Sequence, residues 1–503
     1  MTHPPIPLAP ERVTTAPPAV GTPCVLLGTS DQPSSVVGAL RAALGVAGLV
    51  ESTAHDADAA VVVVPLMGCT ALGAVPPAGL DRGAVVRALA RAARGGAARA
   101  VLVTDLGGSP PLLEPELAGQ VAADLAWWQD LAVTYAARGA LLNTVRLGFS
   151  PIFGHRLTAA EQRARHRYQP LRRDVGVRDV AAALRLFTDP ASSYLVGETL
   201  PVDGGASLGL FPAVARPGSG RPARRRPTDT PTALPGSEDL SPLPPEDLLG
   251  RTVLVTGASS GIGRAAALHL ARRGADLVVA ARREDALADL ADEVVRQGRR
   301  AWTLSVDLAD PGAAAALAPR AWRAAGRVDD LVYAAGHLGL AAPDDDATRR
   351  RTFEINFFSC AHVTEALTTR WVETAHRGAS VAVSSVSHTL VPVPLLEHYG
   401  PSKAALTQHA RALAVSVGRH GLRYNVAAPG IIATDMGDAA GPAYRNGWIS
   451  RIPLGRVGSA EEVAPVLGHL LSPHAAAVTG THLRVDGGFG LGWIDTSADG
   501  GDR

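Results

Sequence analysis

The stretch Tyr399-Gly400-Pro401-Ser402-Lys403 sets a phenol and an ammonium four residues apart, which on a helix puts both on one face about one turn apart. A proton donor and a cation able to tune it then stand side by side. A free phenol titrates near about 10, and a neighbouring cation that favours phenolate lowers this toward neutrality. Such a pair suits protonation of an oxygen on which negative charge develops. Composition singles out the cation: 48 residues are Lys or Arg, yet Lys403 is the only lysine among 503. Arginine would keep the charge but not the compact, strongly hydrated ammonium on a flexible stem.

Such a pair needs a frame, and the second half of the chain opens with one. Arg251 to Val255 is an apolar β-rich run, Thr256-Gly257-Ala258-Ser259-Ser260-Gly261-Ile262-Gly263 a glycine-rich turn, and Arg264 to Arg273 a helical stretch stopped by Gly274. This predicts a phosphate cradle: Gly257, Gly261 and Gly263 allow the tight turn, close backbone approach and helix packing, and the helix N-terminus offers free N–H groups to a pyrophosphate. The next strand, Asp276 to Ala280, leads into Ala281-Arg282-Arg283, where an NAD-selective site would place an acid. Arg282 there would pair with a 2′-phosphate, so NADPH is the expected cofactor.

Composition excludes several alternatives. With 47% hydrophobic residues and a net charge of +1, the chain has enough apolar residues for two or three domain cores. No apolar run approaches the roughly 20 residues that cross a bilayer, and the first 19 residues lack an apolar signal core, which gives a cytoplasmic expectation. Cys24, Cys69 and Cys360 lie far apart with no CxxC, so no disulfide framework or metal site is expected. Near-neutral charge argues against nucleic acid, the basic cluster Arg221 to Arg226 falling in a Pro-rich segment.

That segment, Ala215 to Pro245, is too poor in apolar residues to fold alone and divides the chain. The division reads as a tail (1–21), a first domain (22–212), a linker (213–246), a second domain (247–495) and a tail (496–503). The two domains repeat. Leu195-Val196-Gly197 through Val202-Asp203-Gly204-Gly205 matches Val478-Thr479-Gly480 through Val485-Asp486-Gly487-Gly488 at a constant offset of 283. At that offset Gln169-Pro170-Leu171-Arg172-Arg173 falls on Ile452-Pro453-Leu454-Gly455-Arg456, and Asn143 meets Asn425 after a shift of one residue. Duplication accounts for such a register.

The motifs TGxxxGxG and YxxxK, over about Leu248 to Gly490, resemble the short-chain dehydrogenases/reductases, and among them the 3-oxoacyl-carrier-protein reductases and polyketide ketoreductases. The resemblance implies a seven-stranded doubly wound parallel sheet with the site at the strands' carboxyl ends. The expected fold is thus α/β, two tandem Rossmann-like domains with the first degenerate and shortened. The resemblance further implies that Asp307 holds the adenine, that Asn356 is the catalytic-helix asparagine, and that Pro429-Gly430 with Thr434 and Met436 is the loop closing on the nicotinamide end. The implied cofactor shell is Thr256, Gly257, Ser259, Ser260, Gly261, Ile262, Gly263, Arg282, Asp307, Ala335, Gly336, Pro429, Gly430, Ile432 and Thr434, together with Tyr399 and Lys403. One motif departs: the family's Asn-Asn-Ala-Gly stands here as Tyr333-Ala334-Ala335-Gly336, which removes a central structural side chain.

Aligned with the family, Ser384-Ser385 selects Ser385 as the hydroxyl that holds a substrate carbonyl, fourteen residues before Tyr399 where one fewer is common; Ser387 is the alternative. His388, Glu397 and His398 crowd the same loop. The implied chemistry is hydride delivery from NADPH to a ketone carbon, with Tyr399 as general acid, Ser385 orienting the carbonyl, Lys403 tuning the phenol and bonding the nicotinamide ribose, and Asn356 holding a water that refills the proton.

The first half keeps the frame without these parts. After its strand Cys24 to Leu27, Gly28-Thr29-Ser30-Asp31-Gln32-Pro33-Ser34 lacks the later glycines, and the catalytic positions fall on Leu117, Val121 and a site near Asp105. About 35 residues separate that strand from Ala60 to Val64, against nearly 80 in the second half, so a strand and a helix are expected to be missing. The first half reads as a catalytically dead copy that packs on the second as a pseudo-dimer, through Val177 to Gly205; a further homodimer is left open.

The leading expectation is a ketoreductase acting on a bulky, polyketide-like or carrier-bound ketone. A redox-neutral dehydratase or epimerase and a non-catalytic nucleotide-binding scaffold are the alternatives. Gly437 to Arg451, with Tyr444 and Trp448 as its bulky anchors, predicts a roomy lid.

Overall fold

The computed structural model describes residues 22–26, 34–51, 61–66, 82–93, 98–105, 115–148, 150, 166, 169–208, 240–340, 345–390, 396–438 and 447–491. The first half comprises β1 (Thr22–Leu26), α1 (Ser34–Val46), β2 (Leu49–Glu51), β3 (Val61–Leu66), α2 (Arg82–Ala92), β4 (Arg99–Asp105), α3 (Pro115–Ala136), β5 (Leu141–Leu147), α4 (Val177–Thr188) and β6 (Thr199–Val202). The second begins with β7 (Thr252–Thr256), α5 (Gly261–Arg272), β8 (Asp276–Ala281), α6 (Glu284–Arg296), β9 (Ala301–Ser305), α7 (Pro311–Ala325) and β10 (Asp330–Tyr333). It continues through α8 (Asp346–Phe353), a π-helical turn (Glu354–Phe358), α9 (Ser359–Glu373), β11 (Ala379–Val383), α10 (Tyr399–Val417), β12 (Arg423–Pro429), α11 (Asp435–Asp438), α12 (Ala460–Leu471) and β13 (His482–Val485).

Among the described residues the strands form two sheets, ordered β2-β1-β3-β4-β5-β6 and β13-β12-β11-β10-β7-β8-β9. Their pairings are parallel, as helical crossovers require. Strands buried on both faces explain why Thr252–Thr256 and Val61–Val64 read as continuous apolar runs rather than alternating ones. Relative to the second sheet, the first stops one strand early, at β2, where the second continues from β8 to β9. The short spacing after the first strand had this consequence.

The offset of 283 returns as hydrogen bonds. Asn143 donates to Leu195 O at 3.0 Å and accepts from Glu198 N at 2.9 Å; Asn425 donates to Val478 O at 3.0 Å and accepts from Thr481 N at 3.2 Å. Asp203 accepts from the N–H groups of Gly205 and Ser207 as Asp486 does from Gly488 and Gly490. Asp179 accepts from the N-cap N–H of Gly176 and takes a forked pair of bonds from Arg173, and Glu462 does the same with Ser459 N and Arg456. The halves also meet reciprocally: Gly204 N donates to Ala477 O at 2.7 Å, and Gly487 N donates to Tyr194 O at 3.0 Å. One buried apolar cluster runs through both halves, from Val180, Leu184 and Tyr194 to Val463, Leu467 and Leu470.

The linker ends earlier than expected. Leu243 is buried, its N–H donates to Val46 O, and Arg178 and Arg185 donate to the carbonyls of Ser241, Leu243 and Pro244. Residues 240–246 are therefore docked on the first half. The preceding stretch, including the Arg221 cluster, both tails, Cys69 and Gly28 to Pro33 lie outside the described residues. No described helix is long and apolar enough to cross a membrane.

Candidate active site

The glycine turn does what its spacing demands. Gly257 has φ +64°, and a Cβ there would stand 2.8 Å from the backbone of Ala334 and Ala335, so the turn is pressed against the end of β10. Gly261 (φ +53°) opens α5 behind the cap residue Ser260, leaving the helix N-terminus facing the carboxyl edge of the sheet. Thr256 points the other way: its hydroxyl accepts from Ala334 N and Ala335 N at 3.1 and 3.2 Å and locks turn to strand.

Above this edge lies a cavity of about 580 Å³. Of the expected cofactor shell, it is lined by Gly257, Ser259, Ser260, Gly261, Ile262, Gly263, Arg282, Asp307, Ala335, Gly336, Tyr399, Lys403, Pro429, Gly430, Ile432 and Thr434, with Ser385 and Ser387. Thr256 and Asn356 are the expected residues that stand behind its wall instead. Arg283, missed because the strand runs one residue longer than expected, also lines it and donates to Ser259 Oγ at 3.1 Å. The cradle, the two guanidiniums beside it and Asp307 at the next strand end fit a nicotinamide adenine dinucleotide in chemistry and order. No group of three or more His, Cys, Asp or Glu among the described residues is placed to hold a metal ion.

Tyr399 begins α10 and lines the cavity together with Ser385, whose Oγ accepts from Ser387 N at 3.1 Å. The two serines take different parts in that bond: Ser385 accepts on its hydroxyl oxygen and Ser387 donates its backbone N–H. Lys403 is buried, donates to Val383 O at 2.9 Å and holds its ammonium 5.7 Å from the centroid of the Tyr399 ring. Burial pushes the phenol up to about 12, with the nearby Ser385 hydroxyl opposing, and draws the ammonium down to about 8. Desolvation thus outweighs the expected lowering of the phenol, and Tyr399 holds its proton at neutral pH. That is the form a general acid requires.

Asn356 sits within the π-helical turn, fully buried. Its Oδ1 accepts from His337 N, and its two amide hydrogens go to His337 O and Ser402 Oγ, each at 2.9 Å. Rather than offering these hydrogens to water, the side chain clasps the end of β10 to the first turn of α10. The π turn arises because Ser359 N reaches back to Glu354 O, abandoning Ile355 O, its partner in an α-helix. Tyr333 Oη donates to that carbonyl at 2.7 Å. Tyr333 is therefore a strut for the Asn356 turn. His388 binds Ser385 O and stacks edge-on against His482, outside the cavity wall.

Leu338, Leu340, Val386, Leu396, Met436 and Trp448 also line the cavity, and Trp448 packs on Phe489 with ring centroids 4.8 Å apart. Residues 439–446 of the predicted lid, with Tyr444, are outside the described residues. In the first half the positions matching Tyr399 and Lys403 fall at Leu117 and Val121 on α3, and Asp105 ends β4.

A family model described as enoyl-(acyl carrier protein) reductase matches residues 257–490. An L-rhamnose 1-dehydrogenase (NAD(P)(+)) of Sphingomonas sp. (strain SKA58) is 39% identical over 249 residues, 48% of this chain and 97% of that protein. The 3-oxoacyl-(acyl-carrier-protein) reductase FabG of Escherichia coli (strain K12) is 33% identical over 242 residues, again 48% of this chain and 97% of the relative. A short-chain dehydrogenase from Burkholderia cenocepacia J2315, solved in complex with NADP, is 31% identical with a TM-score of 0.46, covering 48% of this chain and 99% of that one.

Proposed function

The chain belongs to the short-chain dehydrogenase/reductase family as an oxidoreductase acting between CH–OH and C=O, and from this we propose that it is an NADPH-dependent ketoreductase. The observation that carries the reading is the convergence on one cavity of the Tyr399 phenol, the Ser385 hydroxyl and the buried ammonium of Lys403, the sole lysine of the chain.

Bound NADPH supplies the hydride. Tyr399 gives its proton to the carbonyl oxygen as charge develops there, Ser385 Oγ holds that oxygen in line, and Lys403 stabilises the phenolate left behind. Asn356 keeps β10 and α10 in register so that these groups converge. Arg282 and Arg283, flanking Ser259, would take the 2′-phosphate. The aliphatic and indole lining supports a bulky hydrophobic ketone, polyketide-like or carrier-bound, over a polyol.

The first half serves, in this reading, as a built-in partner. The matched Asn143 and Asn425 bonds and the reciprocal Gly204 and Gly487 contacts support descent by duplication and docking as a pseudo-dimer, in which the degenerate copy covers an apolar face of the catalytic one. NADPH oxidation against a panel of cyclic and carrier-linked ketones tests the activity: turnover restricted to hydrophobic ketones is expected, and turnover of sugars alone would overturn the substrate class.

A further inference from the structure

The reciprocal interface is broken at Tyr194. Tyr194, from the first half, is buried in the second: its Oη donates to Arg456 O at 3.1 Å, and the Arg456 guanidinium lies 5.3 Å over its ring. The ring lies so close to Gly458 that a Cβ there would stand 2.5 Å from Cδ1 and Cε1, and a Cβ on Gly487 would stand 2.6 Å from Cε2. At the related positions of the other half the pair is reversed, Ala477 for Tyr194 and Val175 for Gly458, both buried. A large ring over glycine on one side faces a small methyl opposite valine on the other. The exchange is complementary within each pair, and only the second half receives the aromatic.

What rests on that ring is part of the site. Gly458 N donates to Ile431 O at 3.0 Å and Gly458 O accepts from Ala433 N at 2.8 Å, a short bridge that fixes the segment after Pro429-Gly430. Ile431, Ile432 and Thr434 line the cavity, and Ile432 shares a buried cluster with Tyr194. A void under Gly458 would let that bridge drop, because close-packed neighbours relax into removed volume only in part and shift what they support.

We propose that Tyr194 is a positioning residue for the catalytic half: its ring is the floor under the Ile431–Ala433 segment, so that the half without catalytic groups shapes the cofactor end of the other's cavity. This rests on reading the cavity as the NADPH site, and the test separates the two. Tyr194→Leu and Tyr194→Phe are made in the full chain, with Leu208→Ala as an interface control. Leu208 packs across the same interface against Gly480, away from the loop. Hydrogen exchange of residues 430–437 and the Kd for NADPH, read by nicotinamide fluorescence, are measured. Tyr194→Leu should raise exchange in 430–437 by about tenfold with β7 unchanged, and weaken NADPH by a similar factor, with Tyr194→Phe close to the parent. Leu208→Ala should leave both at parent values. Unchanged loop exchange in Tyr194→Leu, or an equal effect of Leu208→Ala, overturns the inference. Failure of the parent chain to bind NADPH overturns the cofactor reading, and the loop exchange still decides the role of Tyr194.

Discussion

Lys403 holds its ammonium 5.7 Å from the centroid of the Tyr399 ring while donating to the Val383 carbonyl at 2.9 Å, in a place from which water is nearly excluded. Val383 ends the strand that delivers Ser385, so one cation ties together the strand and the helix from which the two hydroxyls come. The position is unfavourable for folding and useful for chemistry, which gives the first expectation.

Burial lowers the Lys403 ammonium to about 8, from about 10.4 in an unfolded chain. A cation whose folded value is depressed is at its least unfavourable above the unfolded value, and stability is lost as pH falls through the folded one. Lys403→Met should therefore raise stability at pH 7 by on the order of 3 kcal/mol while abolishing turnover. Urea unfolding at pH 7 and pH 10 checks this: the gain should shrink at the higher pH. In the parent, reduction should fall as pH rises past about 8, where the ammonium loses its proton.

Arg282 and Arg283 both face the cavity. Replacing both with Ala should raise KM for NADPH by about tenfold or more, the worth of a charge-assisted pair, and leave that for NADH within about twofold. Equal effects on the two cofactors would remove the 2′-phosphate assignment.

Ser385 and Ser387 both line the cavity, and the Ser387 N–H donates to Ser385 Oγ. Ser385→Ala should lower kcat by about a hundredfold, as loss of a transition-state donor does, whereas Ser387→Ala keeps its N–H and should stay near the parent. Steady-state kinetics of the two variants decides.

Tyr333→Phe leaves Ile355 O without its hydroxyl donor at a cost of about 1–3 kcal/mol. Because that carbonyl belongs to the turn carrying Asn356, kcat should fall by about tenfold with KM for the ketone unchanged, and Asn356→Ala should add little to it. Additive losses in the double variant would mean that the two act separately.

Much of this was legible because the decisive signals are local. The glycine turn, the Tyr399-to-Lys403 spacing and the aspartate turns at Asp203 and Asp486 each lie within one short segment, and the offset of 283 could be read from them. What stayed hidden depends on contacts between distant residues. Tyr333 meets Ile355 across 22 positions, and only the π turn exposes the carbonyl it serves. Thr256 was expected in the cofactor shell and Asn356 among the catalytic groups, yet the hydrogen bonds of their side chains make both struts behind the wall. Arg283 escaped because β8 ends one residue later than the apolar run suggests. The lowered phenol was expected from the cation alone, and burial, invisible in a spacing, proved the larger effect.

The most direct test is turnover in Tyr399→Phe and Lys403→Arg, each with circular dichroism to confirm the fold. The account predicts a native spectrum with NADPH-dependent ketone reduction down by at least about a hundredfold in both. Parent-level turnover in either folded variant would place the reaction elsewhere.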